Sequence, residues 1–202
     1  MHISDGVLTT GVLVGTGLAA AGAAGGLLWR LDAERIPRVA LCTAFFFVAS
    51  LVHVPIGPTS VHLVLIGLVG IIVGPWAFLP ILFGVVLQAL LFQHGGITTI
   101  GANALMMGLP AYAAWGVYRA GGAVRFRGRA WVFGFLAAWL AVELAAALLA
   151  GLLLTAGEYF RGGALTAVVA HQPVAVVEGI VTGFAAALIH KVDPAMLEDV
   201  HE

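Results

Sequence analysis

Apolar residues run through this 202-residue chain in long blocks, separated by short clusters of charge, proline and glycine. The blocks fall at about 8–29, 39–54, 61–75, 77–92, 100–118, 130–155 and 164–189. A helix needs roughly 20 apolar residues to cross a hydrocarbon layer of about 30 Å. The pattern therefore predicts an all-α integral membrane protein with seven transmembrane helices, folded as a single transmembrane domain over 1–202. Two blocks are only about 16 residues long, as expected of helices that stop beneath a cavity or lead into loops packed inside protein at membrane depth. Fusing 61–92 would give six spans, but Gly74-Pro75 interrupts that stretch in the middle.

Composition supports the same class. Hydrophobic residues make up 61% of the chain and charged residues 9%, against roughly 25% charged in soluble domains. Too few polar groups are present to cover a globular surface, so a multi-pass protein of the cell membrane is expected. The net charge of −1 and the absence of a dense basic patch give no reason to expect a nucleic-acid partner. The single cysteine, Cys42, excludes an internal disulfide and a cysteine-based zinc or iron–sulfur site. The first seven residues lack a positive region, and the apolar run after them is too long for a cleavable leader, so the N-terminus is expected to be mature as read.

Charge between the blocks predicts orientation. Arg30, Arg35 and Arg38 lie in the first connection, Arg119, Arg125, Arg127 and Arg129 in the fifth, and Lys191 in the tail; the opposite side holds only Arg161. Basic residues favour the cytoplasm. Seven spans then place the N-terminus outside and the C-terminus in the cytoplasm. On that topology His2, His53, His62, His94 and His171 lie towards the outside, and only His190 and His201 are cytoplasmic. Any one of them has an ordinary reading as an interfacial imidazole bonded to a loop carbonyl. Five together point to a metal site open to the outside.

The first two residues carry chelating chemistry of their own. An α-amine has a pKa near 8 and an imidazole one near 6.5, so both can shed protons at neutral pH. The Met1 amine and the His2 amide nitrogen close a five-membered ring on a metal, and the amide with His2 Nδ1 closes a six-membered one. Three nitrogens in one plane leave one position for another imidazole, a geometry that selects Ni(II) or Cu(II) over zinc. Asp5 has two readings, as a carboxylate that orients an imidazole and as an N-cap for the first helix.

Four separated stretches resemble one family in order along essentially the whole chain: "MHISDG" (1–6), "VPIGPTSVHL" (54–63), "LLFQHGGITTIGANALMMGLPA" (90–111) and "HQPVAVVEGIVTGF" (171–184). The family is the CbiM/NikM-type substrate-capture (S) component of energy-coupling-factor nickel/cobalt transporters. The resemblance implies an added N-terminal helix, about 8–29, ahead of a six-helix core, about 39–189. It implies Ni(II) or Co(II) as transported substrate, held by Met1, His2 and His62, with nickel slightly favoured by the planar nitrogen set. It also implies partners: a transmembrane coupling (T) protein, two cytoplasmic ABC-type ATPases and a small accessory membrane protein. No GxxxxGK[ST] phosphate loop is present, so ATP hydrolysis is expected from separate chains and this subunit is not expected to be an enzyme.

Further residues take candidate roles around that site. Ser60, His94, Thr98 and Asn103 offer hydrogen bonds to it, with Gly95 and Gly96 letting the loop backbone fold close beneath. Ala40 and Ala44 form a small-xxx-small pair for the coupling protein or for internal packing. The Gly/Ala run from Gly15 to Gly26 is expected to pack the first helix on the core. His171 and Glu178, seven residues apart on one helical face, could pair, line a path to the cytoplasm, or serve as structural partners between helices.

Other functions fit less well. A stand-alone divalent-metal permease is the nearest alternative, but no inverted repeat is evident. An intramembrane metalloprotease lacks His-Glu-x-x-His, and a serine protease lacks a Gly-x-Ser-x-Gly elbow. A haem-binding protein would need imidazoles facing each other across the bilayer.

Overall fold

A computed structural model describes residues 2–56 and 59–198 of the chain, with 53–56, 59–62 and 198 described by their backbone alone. Helices form from each of the seven apolar blocks: α1 (Thr10–Arg30), α2 (Ile36–Ala49), α3 (Ile66–Val73), α4 (Phe78–Phe92), α5 (Ile100–Gly121), α6 (Arg129–Thr155) and α7 (Arg161–Val192). A last short helix, α8 (Ala195–Glu198), buries Leu197. Among the described residues, three helical stretches are long and apolar enough to cross a membrane: 10–30, 129–155 and 158–192.

Two expectations need correction. The chain is not purely helical, because β1 (His53–Ile56) and β2 (Thr59–His62) pair antiparallel between α2 and α3. The second block was expected to stay helical to about 54 and the third to begin near 61, yet α2 ends at Ala49 and α3 starts at Ile66. The reason lies in residue type: Val54, Ile56, Thr59 and Val61 are β-branched and suit extended backbone, while Pro55 and Pro58 cannot continue a helix. The register sets His53 opposite His62.

Helix α3 is the centre of the bundle. Ile66, Gly67, Leu68, Val69, Gly70, Ile71 and Val73 are all buried, and α2, α5, α6 and α7 surround it. Its short length is tolerated because protein, not lipid, covers its ends. Gly70 allows the closest approach, since a side chain there would meet the carbonyl oxygen of Ala111 on α5.

The first helix lies at the edge. It rests on α4 and α5, burying only Ala20 and Ala24, with Gly17 against Gly101. The remaining small residues do not pack it on the core as expected: a side chain at Gly15, Gly22, Gly25 or Gly26 would meet nothing. Ala40 and Ala44 are likewise exposed on α2, which removes internal packing as their role.

Candidate functional site

The N-terminal segment docks at the end of the bundle where α4 stops and α5 begins. Helix α4 ends in a left-handed residue, Gln93 (φ 54°), after which the N–H of His94 donates to the carbonyl of Gln88 at 3.1 Å. That reversal returns the chain over its own helix end. The Gly95–Thr99 loop then leads into α5 and forms the floor on which residues 2–5 lie.

Each anchor of the segment is a named hydrogen bond. The Ile3 N–H donates to Asn103 Oδ1 at 2.8 Å, and Asn103 Nδ2 returns a bond to the Ile3 carbonyl at 3.0 Å. Thr99 Oγ1 donates to the same carbonyl at 2.8 Å, and the Ile3 side chain is buried. A primary amide with a donor and an acceptor side by side matches the two backbone groups of one extended residue. Asp5 accepts from the N–H groups of Ile97 (3.2 Å) and Thr98 (3.0 Å) and from the Thr98 hydroxyl. The Thr98 hydroxyl foremost, with the loop N–H groups, holds the Asp5 carboxyl below its ordinary pKa.

Asp5 bonds the loop at Ile97 and Thr98, and the N-cap of α1 is Thr9 rather than Asp5. Asn103 bonds the backbone of the segment at Ile3, and Thr98 bonds the Asp5 carboxylate. Both glycines are used as expected. Gly95 has φ +78°, and a side chain there would crowd Asn103 Nδ2 at 2.8 Å; one at Gly96 would collide with the Asp5 carboxylate.

His2 is held by a residue outside the expected set. Its Nε2 lies 2.8 Å from Gln88 Oε1, and Gln88 is fully buried on α4. An amide oxygen only accepts, so this contact suits the neutral tautomer with its proton on Nε2 and its lone pair on Nδ1. Gln88 Nε2 is buried with no bond among the described residues. The sequence does contain a signal for Gln88, as the one uncharged amide inside the apolar run 78–92. His94 stands beside His2, ring centroids 6.1 Å apart, and against Phe92 at 6.2 Å.

Not every expected residue falls here. Met1 lies outside the described residues, as do the side chains of Ser60 and His62. Among the described residues no three His, Cys, Asp or Glu side chains gather as a metal cluster. His171 and Glu178 do not pair: His171 Nδ1 is 2.6 Å from the Ala167 carbonyl on its own helix, while Glu178 accepts from backbone at the β2–α3 junction.

Comparison with known proteins agrees with this architecture. A cobalt transport protein, CbiM, of Sorangium cellulosum is 33% identical over 181 residues, 83% of this chain and 78% of its own. A fused nickel transport protein, NikMN, of Rhodobacter capsulatus is 37% identical over 126 residues, 59% of this chain but 36% of its own length. A Haemophilus influenzae protein is 46% identical over 121 residues, and the match spans 58% of its length. The crystal structure of a transition metal transporter superposes with a TM-score of 0.81 at 25% identity, covering 96% of this chain and 94% of that one. The family model for CbiM, the cobalt uptake substrate-specific transmembrane region, matches residues 2–196, and the chain belongs to that family as a CbiM/NikM-type multi-pass membrane transport component.

Proposed function

We propose that this chain captures Ni(II) or Co(II) from outside the cell as the metal-binding subunit of an ATP-driven importer. The Met1 amine, the His2 amide nitrogen and His2 Nδ1 supply three ligands in a plane, and the His62 imidazole supplies the fourth. The observation that carries this reading is the docked His2 ring. Gln88 takes up its Nε2 at 2.8 Å, which directs Nδ1, the nitrogen able to share a chelate ring with the backbone amide, to the ion. A planar nitrogen field favours nickel.

In this reading the chain crosses the membrane seven times, with the N-terminus outside and the C-terminus cytoplasmic. A transmembrane coupling protein, two cytoplasmic ABC-type ATPases and a small accessory membrane protein complete the importer. The exposed Ala40 and Ala44 on α2 suit close approach of a coupling-protein helix. ATP hydrolysis by the partners drives release of the ion inward.

The test is a calorimetric titration with nickel and cobalt on protein whose native N-terminus has been verified. Adding one residue before Met1 should abolish specific binding, because the primary amine moves away from His2. His62→Ala should weaken binding sharply in a folded protein, leaving only the three nitrogens of Met1 and His2. Native affinity in the extended variant would refute the chelate.

A further inference from the structure

Glu178 lies midway along α7 and is completely buried. A carboxylate at that depth is costly unless something there requires it. The requirement is at the junction of β2 and α3. Val64 N–H and Leu65 N–H both donate to Glu178 Oε1, and Leu65 N–H also reaches Oε2 at 2.8 Å. Among the described residues neither group has another acceptor. The β1–β2 ladder ends at His62, and Leu65 precedes the first turn of α3, where N–H groups have no partner inside the helix. Leu65 also adopts a left-handed conformation (φ 52°), which turns the chain sharply from strand into helix. An ionised carboxylate only accepts, so it can satisfy adjacent N–H groups together; a glutamine would set an NH2 against one of them.

These bonds fall two and three residues after His62. We propose that Glu178 is a positioning residue for the fourth metal ligand: its carboxylate clamps the backbone at Val64 and Leu65 to α7 and so fixes where His62 is presented to the ion. The proposal rests on His62 being a ligand. It gives Glu178 a role distinct from a path for ions, since its oxygens are occupied by backbone donors.

The test is a thermodynamic cycle on the full chain with its native N-terminus, using Glu178→Gln, His62→Ala and the double variant. Loss of a group that orients a ligand costs about 10- to 100-fold in metal affinity, and that loss is expected for Glu178→Gln. The visible d–d bands of bound Ni(II) should move towards those of His62→Ala. On the His62→Ala background the glutamine should add little, because the ligand it positions is gone. If Glu178→Gln does not fold, Glu178→Asp keeps the charge with a shorter reach and carries the same cycle.

A folded Glu178 variant with native affinity and native bands would overturn the proposal, and so would a loss that adds in full to that of His62→Ala. Unchanged binding in His62→Ala would overturn the ligand assignment and the proposal with it. Amide exchange at Val64 and Leu65 in metal-free protein distinguishes these failures. Acceleration by Glu178→Gln shows the clamp itself to be present, so that only its link to metal has failed.

Discussion

Replacing Asn103 with alanine should undock the N-terminal segment, and the size of the effect follows from its bonds. Asn103 is buried and serves both backbone groups of Ile3, accepting from the N–H at 2.8 Å and donating to the carbonyl at 3.0 Å. In the alanine variant the carbonyl keeps Thr99 Oγ1 at 2.8 Å, but the N–H loses its acceptor. A buried donor left unsatisfied costs about 1–3 kcal/mol, and the lost bond to the carbonyl about 0.5–1.5 kcal/mol more. The sum, about 1.5–4.5 kcal/mol, corresponds to about 10- to 2,000-fold in an equilibrium constant. Part of this is absorbed by the free energy that docks the segment without metal, so nickel affinity should fall by about 10- to 100-fold. Adding Asp5→Ala, which removes the other anchor, should expose the remainder. Two measurements check the reasoning: a nickel titration, and hydrogen exchange at the Ile3 amide in metal-free protein. If exchange at Ile3 rises while nickel affinity stays native, docking is not needed for binding and the argument fails.

Three further outcomes are expected. Gly96→Ala sets a methyl group on the Asp5 carboxylate, so it should weaken nickel binding as Asp5→Ala does, and combining the two should add little in the same titration. Because the Asp5 pKa is lowered, its contribution to docking is present above its ordinary value of 3.8 and is lost only as pH falls through the lower, docked-state value; weakening of nickel binding near pH 6.5 should therefore reflect imidazole protonation and persist unchanged in Asp5→Asn. Gly70→Ala drives a methyl group into the Ala111 carbonyl between α3 and α5, an overpacking that should cost about 1–3 kcal/mol and lower the thermal midpoint of metal-free protein.

The membrane class and all seven helical blocks were legible in the sequence, because hydropathy is a sum along the chain and needs no knowledge of what packs where. The chelate proposed for Met1 and His2 is likewise a sequence argument, because adjacent residues close such a ring through their own covalent geometry. Gly95 and Gly96 announced a close backbone approach in the same local way. The strand pair 53–56 and 59–62 was missed because a short apolar run reads equally as strand or helix, and β-branched residues with proline tip the balance only weakly. The polar contacts were beyond reach for a different reason. Asn103 meets Ile3 across 100 positions, and Glu178 meets Val64 across 114. A polar residue in an apolar block signals a partner without naming it, because the partner depends on how each helix is rotated and stacked. Thus Gln88 was visible as an anomaly, yet only the packing of α4 beneath the N-terminal segment gave it to His2, and of the three readings open for Glu178 only the fold set its carboxylate on the backbone of Val64 and Leu65.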